Sequence, residues 1–94
     1  MKFGLREEIY IKIKDITKKY KNRFVVFGSR ARGDYKNNSD IDIAVLGEIT
    51  DKDIIAIKND FDCIDMEYMI DLVFEMKTEN KELTENIKKE GKEI

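Results

Sequence analysis

Asp40 and Asp42 stand one residue apart at the start of an apolar run, and a Gly28-Ser29 pair, ten residues earlier, closes another. In a strand, residues i and i+2 project from one face, so the two carboxylates lie side by side. Acids held that close repel each other and are costly to keep ionised without a cation between them. Gly28 and Ser29 directly follow Phe24-Val25-Val26-Phe27, where a strand ends and the next turn is free to aim backbone N–H groups at an anion. A magnesium ion bridging the phosphates of a nucleoside triphosphate accounts for both features most economically.

Asp71 adds a third carboxylate, inside the otherwise apolar residues 69–74. An aspartate in such a strand needs a reason. If Ile41, Ile43, Val45, Ile70, Leu72 and Phe74 face the core, Asp42 and Asp71 fall on the opposite side of their strands, with Asp40 beside them. Three acids on two strands are able to hold two divalent ions about 3.5–4 Å apart, the arrangement of phosphoryl and nucleotidyl transfer. Asp71, at the side of such a site, is also placed to accept the proton of an attacking hydroxyl. Ser29 is expected to bond the terminal phosphates, with Arg30 and Arg32 adding charge-assisted bonds. An Asp-x-Asp pair or a Gly-Ser pair alone is an ordinary turn feature. Their union beside two apolar strands, with a third in-strand acid, is what points to chemistry. For Arg30 and Arg32 the plainer alternative is a solvated helix face. Asp34 and Tyr35 read as simple loop residues.

These side chains need a scaffold. Leu5, Ile9, Ile13, Ile16 and Tyr20 recur at helical spacing and predict an amphipathic helix covering one sheet face. Arg23 to Phe27 reads as a strand, Ser29 to Tyr35 as a short helical turn, 36–39 as a polar loop with two asparagines, and 40–46 as a second strand. After Gly47, Thr50 or Asp51 caps a helix carrying Ile54, Ile57, Phe61 and Ile64. Residues 69–74 form a third strand, and a final lysine- and glutamate-rich helix has Thr78 as its cap, Leu83 and Ile87 on one face and Gly91 as its end. The last three residues are expected to fray. The pattern predicts an α/β or α+β domain, a small mixed three-stranded sheet with helices mainly on one face and the aspartates emerging on the other.

Ninety-four residues make one small domain, taken as spanning 1–94. With Lys+Arg 18 against Asp+Glu 20 the net charge is −2, which argues against nucleic acid as a direct ligand. There is no histidine, and Cys63 is the single cysteine, so disulfides, cysteine–histidine catalysis and ordinary zinc sites are excluded. Cys63 is expected to be a small buried hydrophobe. No apolar stretch approaches the ~20 residues of a membrane span, and a cytoplasmic location is expected.

Gly28-Ser29, ten residues and Asp40-x-Asp42 resemble the signature of the polymerase-β-like nucleotidyltransferase superfamily. The fuller run, Gly28-Ser29-Arg30-Ala31-Arg32-Gly33 followed by Ser39-Asp40-Ile41-Asp42-Ile43-Ala44-Val45, is similar to its minimal nucleotidyltransferase (MNT) family, in which a third acid stands in a strand like Ile70-Asp71-Leu72-Val73. The tail Ile87-Lys88-Lys89-Glu90-Gly91 also resembles the end of the family's C-terminal helix. The resemblance implies a nucleotidyltransferase fold, ATP as substrate and two Mg2+ ions. It further implies an antitoxin that silences a small helical HEPN ribonuclease toxin by transferring AMP to a tyrosine hydroxyl. Larger relatives carry further domains for their acceptors, so an acceptor presented by a separate protein fits this chain's length. A module that neutralises its partner by occlusion competes with this reading, as does a small-molecule nucleotidyltransferase. The three acids favour transfer, because clustered carboxylates are costly to keep in an unused site.

Overall fold

The computed structural model describes residues 2–36, 39–64 and 69–94; Asn37 and Asn38 of the expected asparagine turn lie outside them. A 3-10 turn at Lys2–Gly4 leads into α1 (Glu7–Thr17), β1 (Arg23–Phe27) and the short α2 (Ser29–Arg32). Then come β2 (Ile41–Leu46), α3 (Asp51–Asp62), β3 (Ile70–Phe74), a 3-10 turn at Glu75–Lys77, α4 (Lys81–Glu90) and β4 (Lys92–Glu93). The described strands form one mixed sheet in the order β3-β2-β1-β4, with β1 antiparallel to β2 and β4, and β2 parallel to β3. Because a parallel pair needs a crossover, α3 carries the chain from β2 to β3.

The main core lies on one face. Ile9, Ile13 and Ile16 of α1 and Ile57 and Phe61 of α3 pack with Phe24, Val26, Ile41, Ile43, Val45 and Phe74. The α1 stripe continues to Tyr20, but the helix ends at Thr17, whose hydroxyl donates to the Lys14 carbonyl. Tyr20 lies past that end and donates its own hydroxyl to Asp60 of α3. Burial and that hydrogen bond push its pKa up to about 12. Thr50 caps α3 as expected, accepting the Asp53 N–H.

Several expectations are corrected. The sheet has four strands: Lys92 and Glu93 pair with Val26 and Val25, so the C-terminal residues are bonded into the sheet where fraying was expected. Gly91 permits this, since a Cβ there would lie 2.5 Å from the Ile87 carbonyl and 3.1 Å from a Val25 methyl. The second face is also partly covered, because Ile87 and Leu83 of α4 pack on Val25, Phe27 and Ala44. The cap of α4 is Asn80, which accepts the Leu83 N–H at 3.1 Å, while Thr78 accepts the Asn80 N–H one step earlier. Finally, Cys63 is exposed, because it follows the last turn of α3, beyond the stripe that reaches the core.

Candidate active site at one end of the sheet

Strand β1 runs straight into Gly28, whose φ of 75° and ψ of −153° are open to glycine alone. A Cβ on Gly28 would also stand 2.5 Å from Asp42 Oδ2. Glycine is therefore required twice, for the turn and for the approach of the carboxylate. The turn tightens at once: the Ala31 and Arg32 N–H groups donate to the Gly28 carbonyl at 3.1 and 3.0 Å, and those of Gly33 and Asp34 donate to the Ser29 carbonyl. Gly33, at φ 93°, ends α2 in the left-handed region.

The neighbouring strands bring the acids to this turn. Phe27 at the end of β1 stands opposite Asp42, and Asp42 stands opposite Asp71 across the parallel β2–β3 pair. Strand alternation puts both carboxylates on the face of Ala44 and Val73, beyond the part covered by α4. Asp40 lies just outside β2, which begins at Ile41, whose N–H donates to the Met69 carbonyl at 2.9 Å and ties the starts of β2 and β3 together. Asp40 and Asp71 are exposed and Asp42 is half-buried.

Burial pushes the Asp42 pKa up from the ordinary carboxylate value, and the charges of Asp71 and Asp40 push it further, against an opposing pull from Arg32. Asp42 thus lies in the field of both other acids. Among the described residues, no three acidic side chains already close on a common point as an ion-ready set. Like charges on one face have no reason to converge until a cation neutralises them.

A pH dependence follows from Asp42. Its folded pKa lies above the unfolded value, so the folded state binds the proton more tightly and loses stability as pH rises through that folded pKa. Asp42→Asn removes the charge, so its stability advantage over wild type is expected to be widest at neutral pH. It should shrink as pH falls toward the unfolded carboxyl value near about pH 4. Thermal melts across that window check the sign, and a gap that widens in acid would contradict it.

Arg30 and Arg32 separate sharply. Arg30 is only 2% exposed. Its Nε and Nη2 donate to the Ser39 carbonyl and its Nη1 to the Phe3 carbonyl, all within 3.1 Å, while its guanidinium lies 4.9 Å from the Tyr35 ring centre. With every guanidinium nitrogen engaged on backbone carbonyls, Arg30 braces the loop behind the glycine turn, which corrects its expected place on a phosphate. Arg30→Ala is expected to lower stability by about 2–3 kcal/mol, the range for stranding buried partners of a charged donor. Arg30→Lys should recover little, because an ammonium lacks the planar fork. Urea denaturation midpoints measure both. Arg32, in contrast, is exposed and close enough to Asp42 to oppose its raised pKa. Its Nε donates to Asp34 at 3.1 Å and its Nη1 to Glu90 at 2.9 Å.

Sequence reasoning missed the supports. Tyr35 packs its ring on Gly4, where a Cβ would meet it at 2.3 Å, and Asp34 holds Arg32, so neither is a bare loop residue. Nothing in the spacing of Phe3, Gly4 or Glu90 announces these contacts. An open hollow of about 840 Å3, lined in part by Tyr20, Asn22, Ile49 and Thr50, lies toward the opposite end of the strands. It contains none of the three acids, nor Gly28, so the chemistry points to the sheet end instead.

A family model described as "Polymerase beta, Nucleotidyltransferase" matches residues 11–94. Among solved structures, the chain is similar to one described as "Crystal structure of the toxin-antitoxin with AMP-PNP", with a TM-score of 0.66 and 24% identity, covering 88% of this chain and 69% of that one. It is also similar to a putative nucleotidyltransferase from Sulfolobus solfataricus, with a TM-score of 0.46 and 27% identity over 73% of this chain and 66% of the other. No curated protein matches. The first of these structures shares the overall fold.

Proposed function

We propose that this chain, which belongs to the polymerase beta nucleotidyltransferase family, transfers AMP from ATP to a hydroxyl of a partner protein and is the antitoxin of a toxin–antitoxin pair. The observation that carries the reading is the register that sets Asp42 beside Asp71 on the sheet face, with the Gly28 turn against Asp42. Three carboxylates offer only oxygen donors, the set that magnesium prefers. Asp40, Asp42 and Asp71 would hold two Mg2+ ions. Bound there, the ions would neutralise the triphosphate and make pyrophosphate a better leaving group. Ser29 and the glycine turn bind the phosphates, while Arg32 adds positive charge at the acid cluster. Asp71 takes the proton of the attacking hydroxyl as its oxygen bonds the α-phosphorus. The bond to the bridging oxygen of pyrophosphate breaks in the same displacement, and AMP stays on the acceptor.

The partner reading draws on the similar structure, a toxin–antitoxin crystallised with AMP-PNP, and on the MNT resemblance of the Gly28–Asp42 run. A small helical HEPN-type toxin with a tyrosine acceptor fits both. The test mixes the chain, in MgATP, with the product of the adjacent gene, which the reading expects to be a small helical protein, and weighs that product by intact mass spectrometry. An added AMP with loss of toxin activity supports the reading. Toxin silenced at equimolar ratio with no mass increase defeats it. Ser29→Ala is expected to weaken MgATP binding by about 1–3 kcal/mol by calorimetry.

A further inference from the structure

The tail Ile87-Lys88-Lys89-Glu90-Gly91 has no role in the chemistry described so far, yet its Glu90 meets Arg32, on the turn that follows Gly28. Ile87 is buried against β1 and β2, and Gly91 lets the chain turn back so that Lys92 and Glu93 pair with β1. The position of Glu90, the last residue of α4, is thereby set from both sides. Its carboxylate accepts the Arg32 Nη1 at 2.9 Å, and Asp34 accepts Nε at 3.1 Å. Arg32 Nη2 makes no bond to a described residue.

From this geometry we infer that Glu90 is a positioning residue: it holds the Arg32 guanidinium at the mouth of the acid cluster so that its remaining N–H groups receive the triphosphate. The inference rests on the nucleotidyl-transfer reading and deepens it. A free arginine must give up rotamer freedom to grip a phosphate. A guanidinium already fixed on two of its nitrogens has lost most of that freedom before the ligand arrives, and its planar fork keeps donors for a phosphate without releasing Glu90. Arg32 sits on the turn itself, its N–H donating to the carbonyl of Gly28 at 3.0 Å, and Gly28 is the residue that packs against the Asp42 carboxylate.

The test is a double-mutant cycle on the full chain, read by MgATP titration and by steady-state transfer. Glu90→Gln is expected to raise the MgATP Kd about fivefold, the scale of one partly exposed ion pair, with kcat nearly unchanged. Arg32→Gln should raise Kd at least about tenfold. In the Arg32→Gln background, adding Glu90→Gln should change nothing further, which a purely structural role for Glu90 would not predict. Unaltered or tighter MgATP binding by Glu90→Gln overturns the inference, as does an equal loss in both backgrounds. Wild-type protein that fails to bind MgATP overturns the nucleotide reading itself, and the positioning role with it.

Discussion

Asp42→Asn is expected to abolish AMP transfer while leaving the protein folded at least as stably as wild type. Asp42 stands at the centre of the site, opposite Phe27 on one strand and Asp71 on the other, with the glycine turn against its carboxylate. Its charge is the one that burial and both neighbouring acids oppose. Neutralising it relieves that repulsion in the empty protein. In the proposed two-ion site the same change would remove a ligand, and metal-assisted charge stabilisation is worth several kcal/mol, or about 10³-fold and more in rate. Asparagine keeps the shape, so packing against Gly28 survives. Labelled AMP incorporation and urea melts on the same preparation test both halves. Wild-type transfer in Asp42→Asn and in Asp40→Asn would rule out the two-ion site.

Asp71→Asn divides the roles further. Asp71 lies on the outer strand of the described sheet and is exposed, whereas Asp42 is half-buried between its neighbours. In the proposed reaction it is an ion ligand at the flank and the acceptor of the hydroxyl proton, and so is expected to contribute more to the displacement than to nucleotide binding. Its removal should leave much of the MgATP affinity, through Asp40, Asp42 and the glycine turn. Transfer should fall at least ~10²-fold, the usual loss when a general base is removed. Neutralisation of the partner should fail with it. An Asp71→Asn protein that still silences the partner at equimolar ratio, with no AMP added, would replace catalysis by simple occlusion.

The parts of this molecule that obey a period were legible in the sequence. Ile9, Ile13 and Ile16 repeat at helical spacing and reach the core, and the alternation in Ile41 to Val45 and Ile70 to Phe74 assigned each side chain its face. From that alternation the meeting of Asp42 and Asp71 on one side followed, needing only the parallel register to bring them level. What was hidden depends on contacts distant in the chain. Arg30 and Arg32 are the same residue type two positions apart, and contacts distant in the chain, among them those with the Phe3 and Ser39 carbonyls, make one of them a buried brace. β4 is a Lys-Glu pair with no β character, joined to the sheet because Gly91 lets the chain approach Val25. Covering of the second face by α4 was missed for the same reason, since Leu83 and Ile87 alone do not reveal which surface they meet.

β3 is an outer strand of the described sheet, so one row of its backbone groups has no neighbouring described strand. A run such as Ile70-Asp71-Leu72-Val73-Phe74 on an open edge is a template on which a second chain can build, and a charge within it is what discourages that pairing. The carboxylate proposed for proton transfer is therefore also expected to oppose edge-to-edge pairing of two chains. An Asp71→Asn sample should self-associate more readily as its concentration rises, visible by light scattering, and its enzymology belongs at low micromolar protein, where lost chemistry and lost solubility separate.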